Sequence, residues 1–336
     1  MPHSIGEGGQ YEFVQDIGKG SFGSVVLAKH MATGELVAIK RLERAMVNRH
    51  YVSSEILNHS GLCHPHVVQF REVFLSRSSV NIVMEYAAGG SLLAYVQRRG
   101  RLYEPAARWF FQQLVLAVDF CHKQGVANRD IKLDNLLLQP IPGATRPLLK
   151  VCDFGYSRAD ARAHAFSKVG TLSYIAPEVL GSRDGYNARV ADVWSCGVVL
   201  YAMLVGGFPY ATPAPGAGQR EAKLGLNLML RDMQARRLEI PSALGLSGGA
   251  ASLLRRLLDP DPRRRVSVAD ILQDPWFLTD LPTGALTMAA RCLGKRAARA
   301  QPEAEIQAVV DAVRGRGASD GSDEADAERI RLDLLE

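Results

Sequence analysis

The sequence predicts an α+β fold in two lobes, a small β-rich lobe followed by a larger helical one. Two observations predict it. From Tyr11 to about Glu85, apolar residues fall in short runs separated by Gly, Asn and Ser turns. Beyond Gly90 the apolar spacing becomes helical. The length of 336 residues is enough for two lobes with sizeable cores.

The elements follow in order. "YEFVQDIG", "SVVLAKH", "LVAIKRL", "VVQFREVFL" and "VNIVMEY" read as strands, with one helix near "NRHYVSSEILNHSGL". "EPAARWFFQQLVLAVDFCHKQG" and "DVWSCGVVLYAMLVG" read as helices of the second lobe. "ATPAPGAGQREAKLG" is rich in Pro, Ala and Gly and reads as a surface loop. After Trp276 the composition turns Ala/Arg-rich, then acidic. In "EAEIQAVVDAVRG", Ile306, Val309, Val310 and Val313 form one apolar face of a short helix ending at Gly315. "GASDGSDEADAE" has the composition of a disordered tail. The expected division is a tail over 1–10, a domain over 11–277 (lobes 11–86 and 87–277), and an extension over 278–336.

Composition excludes several classes. No run of eighteen apolar residues is present, so no membrane partner is expected. The start "MPHSIGEGGQ" lacks a basic-then-apolar pattern, so no secretory signal is expected. The five cysteines (Cys63, Cys121, Cys152, Cys196, Cys292) form no CxxC pair, which suits a reducing cytoplasm or nucleus. The net charge of +5 reads as a solvated surface. Its densest basic run, "RRLLDPDPRRR", is interrupted by acids and prolines, so no nucleic-acid partner is expected.

Four short stretches carry chemistry. "IGKGSFGSVV" gives Gly18-x-Gly20-x-x-Gly23-x-Val25, and glycines let backbone approach phosphate oxygens. Glycine clusters are also common in tight turns. Here a strand follows, not a helix, which disfavours a dinucleotide fold. "VAIK" ends in Lys40. Alone it reads as a solvent-facing strand residue; downstream of the glycine loop it can reach phosphates, with Glu55 on the next helix as its carboxylate partner. "NRDIKLDN" packs charge between apolar flanks, which is costly unless the charges are paired or in use. There Asp130 can accept a proton from an attacking hydroxyl, Lys132 can neutralise phosphate charge, and Asn135 can hold a metal ion. In "VCDFGYS", Asp153 is a magnesium ligand by its hard oxygen chemistry.

With these in order, and with "APE" (Ala176, Pro177, Glu178) and "DVWSCG" after them, residues 11–277 resemble the eukaryotic protein kinases. The resemblance implies a two-lobed kinase fold, ATP and Mg2+ as cofactors, and ATP in the interlobe cleft. Lys132 and "GTLSY" resemble the serine/threonine class, in which Thr171 would bond Asp130 and Lys132. By the resemblance, Gly18, Gly20 and Gly23 cover the phosphates, and Lys40, held by Glu55, orients them. Asp153 and Asn135 hold two magnesium ions, Asp130 takes the substrate proton, and Lys132 stabilises the transferring group. Adenine would bond the backbone of Glu85 and Ala87, with Ile17, Val25, Ala38 and Leu137 around it. Ordinary core packing equally accounts for Val25, Ala38 and Leu137.

"CDFGYS", "VGTLSYIAPEVL", "ADVWSCGVVLYAMLVGGFPY" and "MEYAAGGSL" resemble the plant sucrose-nonfermenting-related kinases of the second subfamily, which respond to osmotic stress and in part to abscisic acid. By that resemblance "EIQAVVDAV" is the subfamily's C-terminal box, packing beside the helix that carries Glu55. Ser167 aligns with its activating phosphoserine, with Thr171 as runner-up and Lys168 replacing a neighbouring threonine. Arg129 is suited to pair with a phosphorylated loop. The implied partners are protein substrates with basic residues before the target Ser/Thr, an upstream kinase and a phosphatase.

Three positions stand out. Asn128 replaces the family's usual His in a stack that would read His59, Phe70, Phe154, Asn128, and is expected to weaken it. Ser91 replaces a usual Glu and is expected to relax the preference for basic substrates, with Asp134 retaining acidity. Cys152 reads as a buried, inert thiol. The rival from another class is a pseudokinase scaffold that binds partners without phosphoryl transfer. Asn128 and Ser91 speak for it, and Lys40, Glu55, Asp130, Asn135 and Asp153 against it.

Overall fold

A computed structural model describes residues 4–5, 9–20, 23–44, 49–154, 171–181, 185–213, 216, 218–293 and 301–315. The chain divides into two compact units, one of Met1–Ala87, Phe154–Ser157 and Gly294–Glu336, the other of Ala88–Asp153 and Arg158–Leu293. Ser167 and Lys168, the side chain of Thr171 and the acidic tail lie outside the described residues.

The first unit is built on a six-stranded antiparallel sheet: β1 (Ser4–Ile5), β2 (Tyr11–Gly20), β3 (Gly23–His30), β4 (Leu36–Glu43), β5 (Phe70–Leu75) and β6 (Ser79–Glu85), in the order β1-β2-β3-β4-β6-β5. The helix α1 (Arg49–Ser60) connects β4 to β5. Alternation along β4 explains the core. Val37 and Ile39 face a cluster with Tyr11, Val26, Ala28 and Val83. Ala38, Lys40 and Leu42 share the opposite face, and Leu42 joins Val52 and Ile56 of α1 there.

One expected strand starts later than its apolar run suggests. "VVQFREVFL" is strand only from Phe70, because Val68 and Gln69 are held by side chains. The Val68 carbonyl is bonded to His59 Nε2 at 2.6 Å, and the Gln69 amide donates to Glu85 Oε2 at 3.0 Å.

The second unit is helical. After α2 (Leu92–Gln97) and α3 (Glu104–Lys123) comes the two-stranded ribbon of β7 (Leu136–Gln139) and β8 (Leu148–Val151). Then follow α4 (Pro177–Gly181), α5 (Ala188–Val205), α6 (Gln219–Gln234), α7 (Gly248–Leu257), α8 (Val268–Ile271), α9 (Pro275–Leu278) and α10 (Met288–Cys292). Its core is α3 against α5, with Phe110, Phe111, Leu114, Phe120, Trp194, Val198 and Leu200 fully buried. Gly206 ends α5 at φ +82°, and a Cβ there would lie 2.2 Å from the Gly100 carbonyl oxygen, so only glycine fits. The expected loop "ATPAPGAGQREAKLG" gives way to helix at Gln219, where the Pro/Gly tract ends and helix-forming Glu, Ala, Lys and Leu begin.

The helix α11 (Glu303–Gly315) belongs to the first unit. Ile306, Val310 and Val313 enter the same cluster as Val52 and Ile56, with Val309 packed against it. Gln301, just before it, clamps the edge strand β5: its Oε1 accepts from the Val73 amide and its Nε2 donates to the Val73 carbonyl, both at 2.9 Å. Cutting Val310 back to Ala removes methyl groups from a closed core and is expected to lower the unfolding free energy by about 1–3 kcal/mol. Deleting residues 301–336 is expected to lower it further, and urea unfolding of both variants measures this.

Candidate active site

The glycines of β2 and β3 lie where the sequence suggests, in an antiparallel pair with Gly18 opposite Val25 and Gly20 opposite Gly23. They are not equivalent. A Cβ on Gly23 would fall 1.8 Å from the Arg41 carbonyl oxygen, so the approach of β4 alone demands glycine. A Cβ on Gly18 would meet only the Val25 side chain at ordinary contact distance. Ile17 sits in the register irregularity between Asp16 and Gly18 and is 39% exposed, unusual for an isoleucine in a paired strand. Val25 is half-buried and Ala38 is buried. Lys40 pairs with Val25 across the ladder, on the sheet face that meets α1.

On α1, Val52, Glu55, Ile56 and His59 recur at helical spacing, so packing Val52 and Ile56 on the sheet carries Glu55 with them. Lys40 Nζ meets Glu55 Oε1 at 2.5 Å, with the Glu55 side chain buried and Lys40 partly open. One turn later His59 lies between two phenylalanines, its ring centroid 5.7 Å from Phe70 and 5.4 Å from Phe154. Three members of the expected stack are therefore in contact.

The Glu85 amide donates to the Gln69 carbonyl at 2.8 Å. Ala87 is buried at the end of this unit.

In the second unit the segment 128–135 is ordered around two carboxylates. Asp192 of α5 is 1% exposed. Its Oδ2 accepts from the Asn128 amide at 2.9 Å and bonds His122 Nε2 at 2.8 Å, while its Oδ1 accepts from the Arg129 amide at 2.8 Å. Arg129 takes φ +65°, a conformation that costs a non-glycine residue about 1–3 kcal/mol. The second carboxylate is Asp130. Lys132 Nζ donates to its Oδ1 at 2.8 Å and Oδ2 at 2.7 Å, and Asn135 Nδ2 donates to Oδ2 at 2.6 Å. Burial pushes the Asp130 carboxyl up to about 6, with Lys132 opposing and the Asp153 charge adding to the rise. A carboxylate so raised is a better proton acceptor than one in water.

Asn135 spends its amide nitrogen on Asp130, which leaves its side-chain oxygen as the atom with affinity for a hard cation. Asp153 also has a left-handed backbone, φ +63°, and its carbonyl accepts from Asn128 Nδ2 at 2.9 Å. Asn128 therefore bonds a backbone carbonyl, as a carboxamide in place of the usual His can. Leu137 is half-buried on β7. Cys152 is half-buried rather than buried, its thiol donating to the Asn135 carbonyl at 3.3 Å because that oxygen also takes the Cys152 amide. Ser91 caps α2, its Oγ accepting from the Ala94 amide at 3.2 Å. Asp134 is exposed.

Sequence reasoning gave no role to three groups. Asp192 and His122 are one; Asp192 stands in the quoted "DVWSCG" and His122 in "EPAARWFFQQLVLAVDFCHKQG", but neither stretch marks the other as its partner. Arg265 is another. Its side chain is fully buried and forms a two-pronged pair with Glu178 at 2.6 and 2.8 Å, over the Trp194 ring. Glu178 stands in the quoted "APE", but its partner lies 87 residues away. Gln301 is the third.

A protein kinase domain profile matches residues 11–277. Serine/threonine-protein kinase SRK2H of Arabidopsis thaliana is 41% identical over 303 residues, 90% of this chain and 80% of that one. SAPK1 of Oryza sativa subsp. japonica is 42% identical over 274 residues, 81% of this chain and 77% of that one. SRK2A of Physcomitrium patens is 42% identical over 283 residues, 84% and 78% respectively. These relatives are of the plant subfamily that the motifs resemble.

Removing one partner of a buried ion pair strands the other charge. Arg265→Met is therefore expected to destabilise the protein by about 3–5 kcal/mol, and Arg265→Lys, which cannot form the two-pronged contact, by less. Thermal and denaturant unfolding compare the two.

Proposed function

The chain belongs to the protein kinase family, and from that premise we propose how its residues transfer the γ-phosphate of ATP to serine or threonine hydroxyls of protein substrates. The observation that carries the reading is Asp130: a buried carboxyl with a raised pKa, held by Lys132 and Asn135 at its own loop. Asp130 orients the substrate hydroxyl and takes its proton. Lys132, already within reach of both Asp130 oxygens, stabilises charge on the transferring group. The transition state of such a transfer is loose, so positioning and charge are what the protein must supply.

Magnesium fits the donors present. Asp153 offers a carboxylate and Asn135 an amide oxygen whose nitrogen is committed elsewhere, both hard ligands. When bound, the metal neutralises phosphate charge. In the first unit, Gly18, Gly20 and Gly23 lie over the phosphates, and Gly23 also meets the close approach of β4. Lys40, aimed by Glu55, takes the α- and β-phosphates. Ile17, Val25 and Ala38 line the adenine. Glu85 contributes its carbonyl, because its amide is spent on Gln69, and Ala87 its amide.

Ser91 is committed to capping α2, so Asp134 is the acid left to read basic residues before the target serine or threonine. Arg129 pairs with phosphoserine at Ser167, placed there by an upstream kinase and removed by a phosphatase, with Thr171 as the runner-up site. The setting is stress signalling in the cytoplasm or nucleus. A scaffold without phosphoryl transfer has no support, because Lys40, Glu55, Asp130, Asn135 and Asp153 are all in place.

Autophosphorylation with labelled ATP tests the reading. The parent chain is expected to incorporate phosphate and Asp130→Ala to incorporate none above background; a parent chain without incorporation overturns the proposal. Ser167→Ala is expected to reduce peptide phosphorylation by about tenfold or more, and an unchanged rate would remove Ser167 as the activating site.

A further inference from the structure

Phe208 is 42% exposed, and among the described residues no other phenylalanine is exposed. A single exposed apolar side chain is common and by itself needs no function. Three features set this one apart. The first is its backbone. Phe208 lies between Gly206, whose left-handed conformation ends α5, and Pro209, which favours extended conformations in the residue before it. Tyr210 is buried and stacked on Trp194, with ring centroids 6.0 Å and planes 11° apart. The ring of Phe208 is therefore presented from a segment anchored on both sides.

The second feature is what the ring rests on. Phe208 meets Tyr174 edge to face, with centroids 5.3 Å apart and planes at 81°. Tyr174 is 5% exposed and held at both ends. Its carbonyl accepts from Ser195 Oγ at 2.9 Å, and its hydroxyl accepts from the Leu133 amide at 3.4 Å. The third feature is charge. Leu133 opens the turn Leu133–Asn135, which carries Asp134. Burial pushes the Tyr174 hydroxyl up, with the Leu133 amide opposing and the charges of Asp134 and Asp130 adding to the rise. Both acids thus lie within electrostatic reach of Tyr174. Asp134 is exposed and, among the described residues, in no ion pair.

We propose that Phe208 is a specificity-determining residue: its exposed ring takes the guanidinium plane of an arginine before the target serine or threonine, and Asp134 pairs with that charge. The inference rests on the reading above in which Asp134 recognises basic residues. Arginine rather than lysine follows from the chemistry. A guanidinium is planar and more weakly hydrated than an ammonium, so it can stack on a ring while its edge meets a carboxylate. An exposed ion pair alone is weak, and so is an exposed cation–π contact alone. Acting on one guanidinium, the two give a preference that neither supplies by itself. Ser91, bonded into the cap of α2, leaves this recognition to the ring and Asp134.

The test uses the full-length chain and alanine-rich serine peptides in which Arg, Lys or norleucine stands in turn at each position before the serine. kcat/KM is measured for the parent, Phe208→Ala, Phe208→Leu, Phe208→Trp and Asp134→Asn. The parent is expected to favour Arg over Lys and norleucine at one position or more. Phe208→Ala and Phe208→Leu are expected to lower kcat/KM for that Arg peptide about three- to tenfold, through KM, and for the norleucine peptide by less than about twofold. Phe208→Trp is expected to keep the preference for Arg, since indole is the stronger cation–π partner. Asp134→Asn is expected to weaken the Arg and Lys peptides alike.

A parent without a preference for Arg at any position overturns the inference. A Phe208→Ala variant that keeps the preference does so too; if Asp134→Asn then loses it, the reading of Asp134 stands and that of Phe208 falls. A Leu variant that behaves as the parent shows a plain apolar contact, and equal losses on the Arg and norleucine peptides show a structural role. Either result removes the arginine reading, as does failure of every Phe208 variant to fold. A parent that phosphorylates no peptide overturns the kinase reading instead. Fluorescence anisotropy of a labelled Arg peptide on the parent and on Phe208→Ala then tests the ring directly, and equal affinity overturns this inference.

Discussion

Asp192 is not the acid proposed for proton transfer, yet the segment that carries Asp130 is built on it. A carboxylate removed from water is costly unless donors surround it. Here the donors are His122 and the amides of Asn128 and Arg129. Charge-assisted bonds of this kind are stronger than neutral ones. They also take the place of any helix or ladder for residues 128–129, which is why the chain can turn at Arg129 through a left-handed conformation. The side chain of Asp130 is aimed as a result. Because Asp192 projects from α5, whose Trp194, Val198 and Leu200 fill the core, the aim of the buried Asp130 is set by apolar packing behind it.

In the first unit the same logic runs through a different pair. Lys40 and Glu55 meet because β4 alternates and α1 repeats, not because the pair drives folding. An isolated buried ion pair contributes little net stability once its desolvation is counted. What the pair supplies is direction: a lysine with four rotatable bonds is held to one approach. The cost of burying Glu55 is carried by Val52 and Ile56, which pack against Ile306 and Val310 of the helix that begins 248 residues after Glu55 in the chain. A charge near the start of the chain is therefore placed by hydrophobic residues near its end.

The strands are legible as short apolar runs between Gly, Asn and Ser turns, and the Asp130, Lys132, Asn135 and Asp153 cluster because so many charges in an apolar setting need a use. The helix α1 is expected near "NRHYVSSEILNHSGL", but which of its faces is buried is not legible there. Its buried face carries Ser53, Glu55 and His59, so it has no clean apolar stripe for a periodicity argument to find. Arg265 is illegible as a site residue, since Glu178 lies 87 residues away, and "DVWSCG" marks Asp192 without showing that it holds amides 63 and 64 residues away. At Ser91 only the missing acid is visible in the sequence, and at Asn128 a carboxamide able to bond backbone carbonyls is visible but not which ones it joins. The fold gives each a bond of its own: Ser91 caps a helix, and Asn128 joins two backbones.

The Asp130 carboxylate shows how far such bonding constrains chemistry. A carboxylate has about four lone-pair directions. Among the described residues, Lys132 and Asn135 take two on Oδ2, and Lys132 takes one on Oδ1. The remaining capacity is on Oδ1. An incoming hydroxyl therefore meets one oxygen that is already saturated and one that can still accept. Burial makes that oxygen more basic than an ordinary aspartate's, while Lys132 limits how far the pKa rises. The two effects work in opposite directions on proton affinity, while the geometry is set by Asn135, which occupies Oδ2 and leaves Oδ1 to accept.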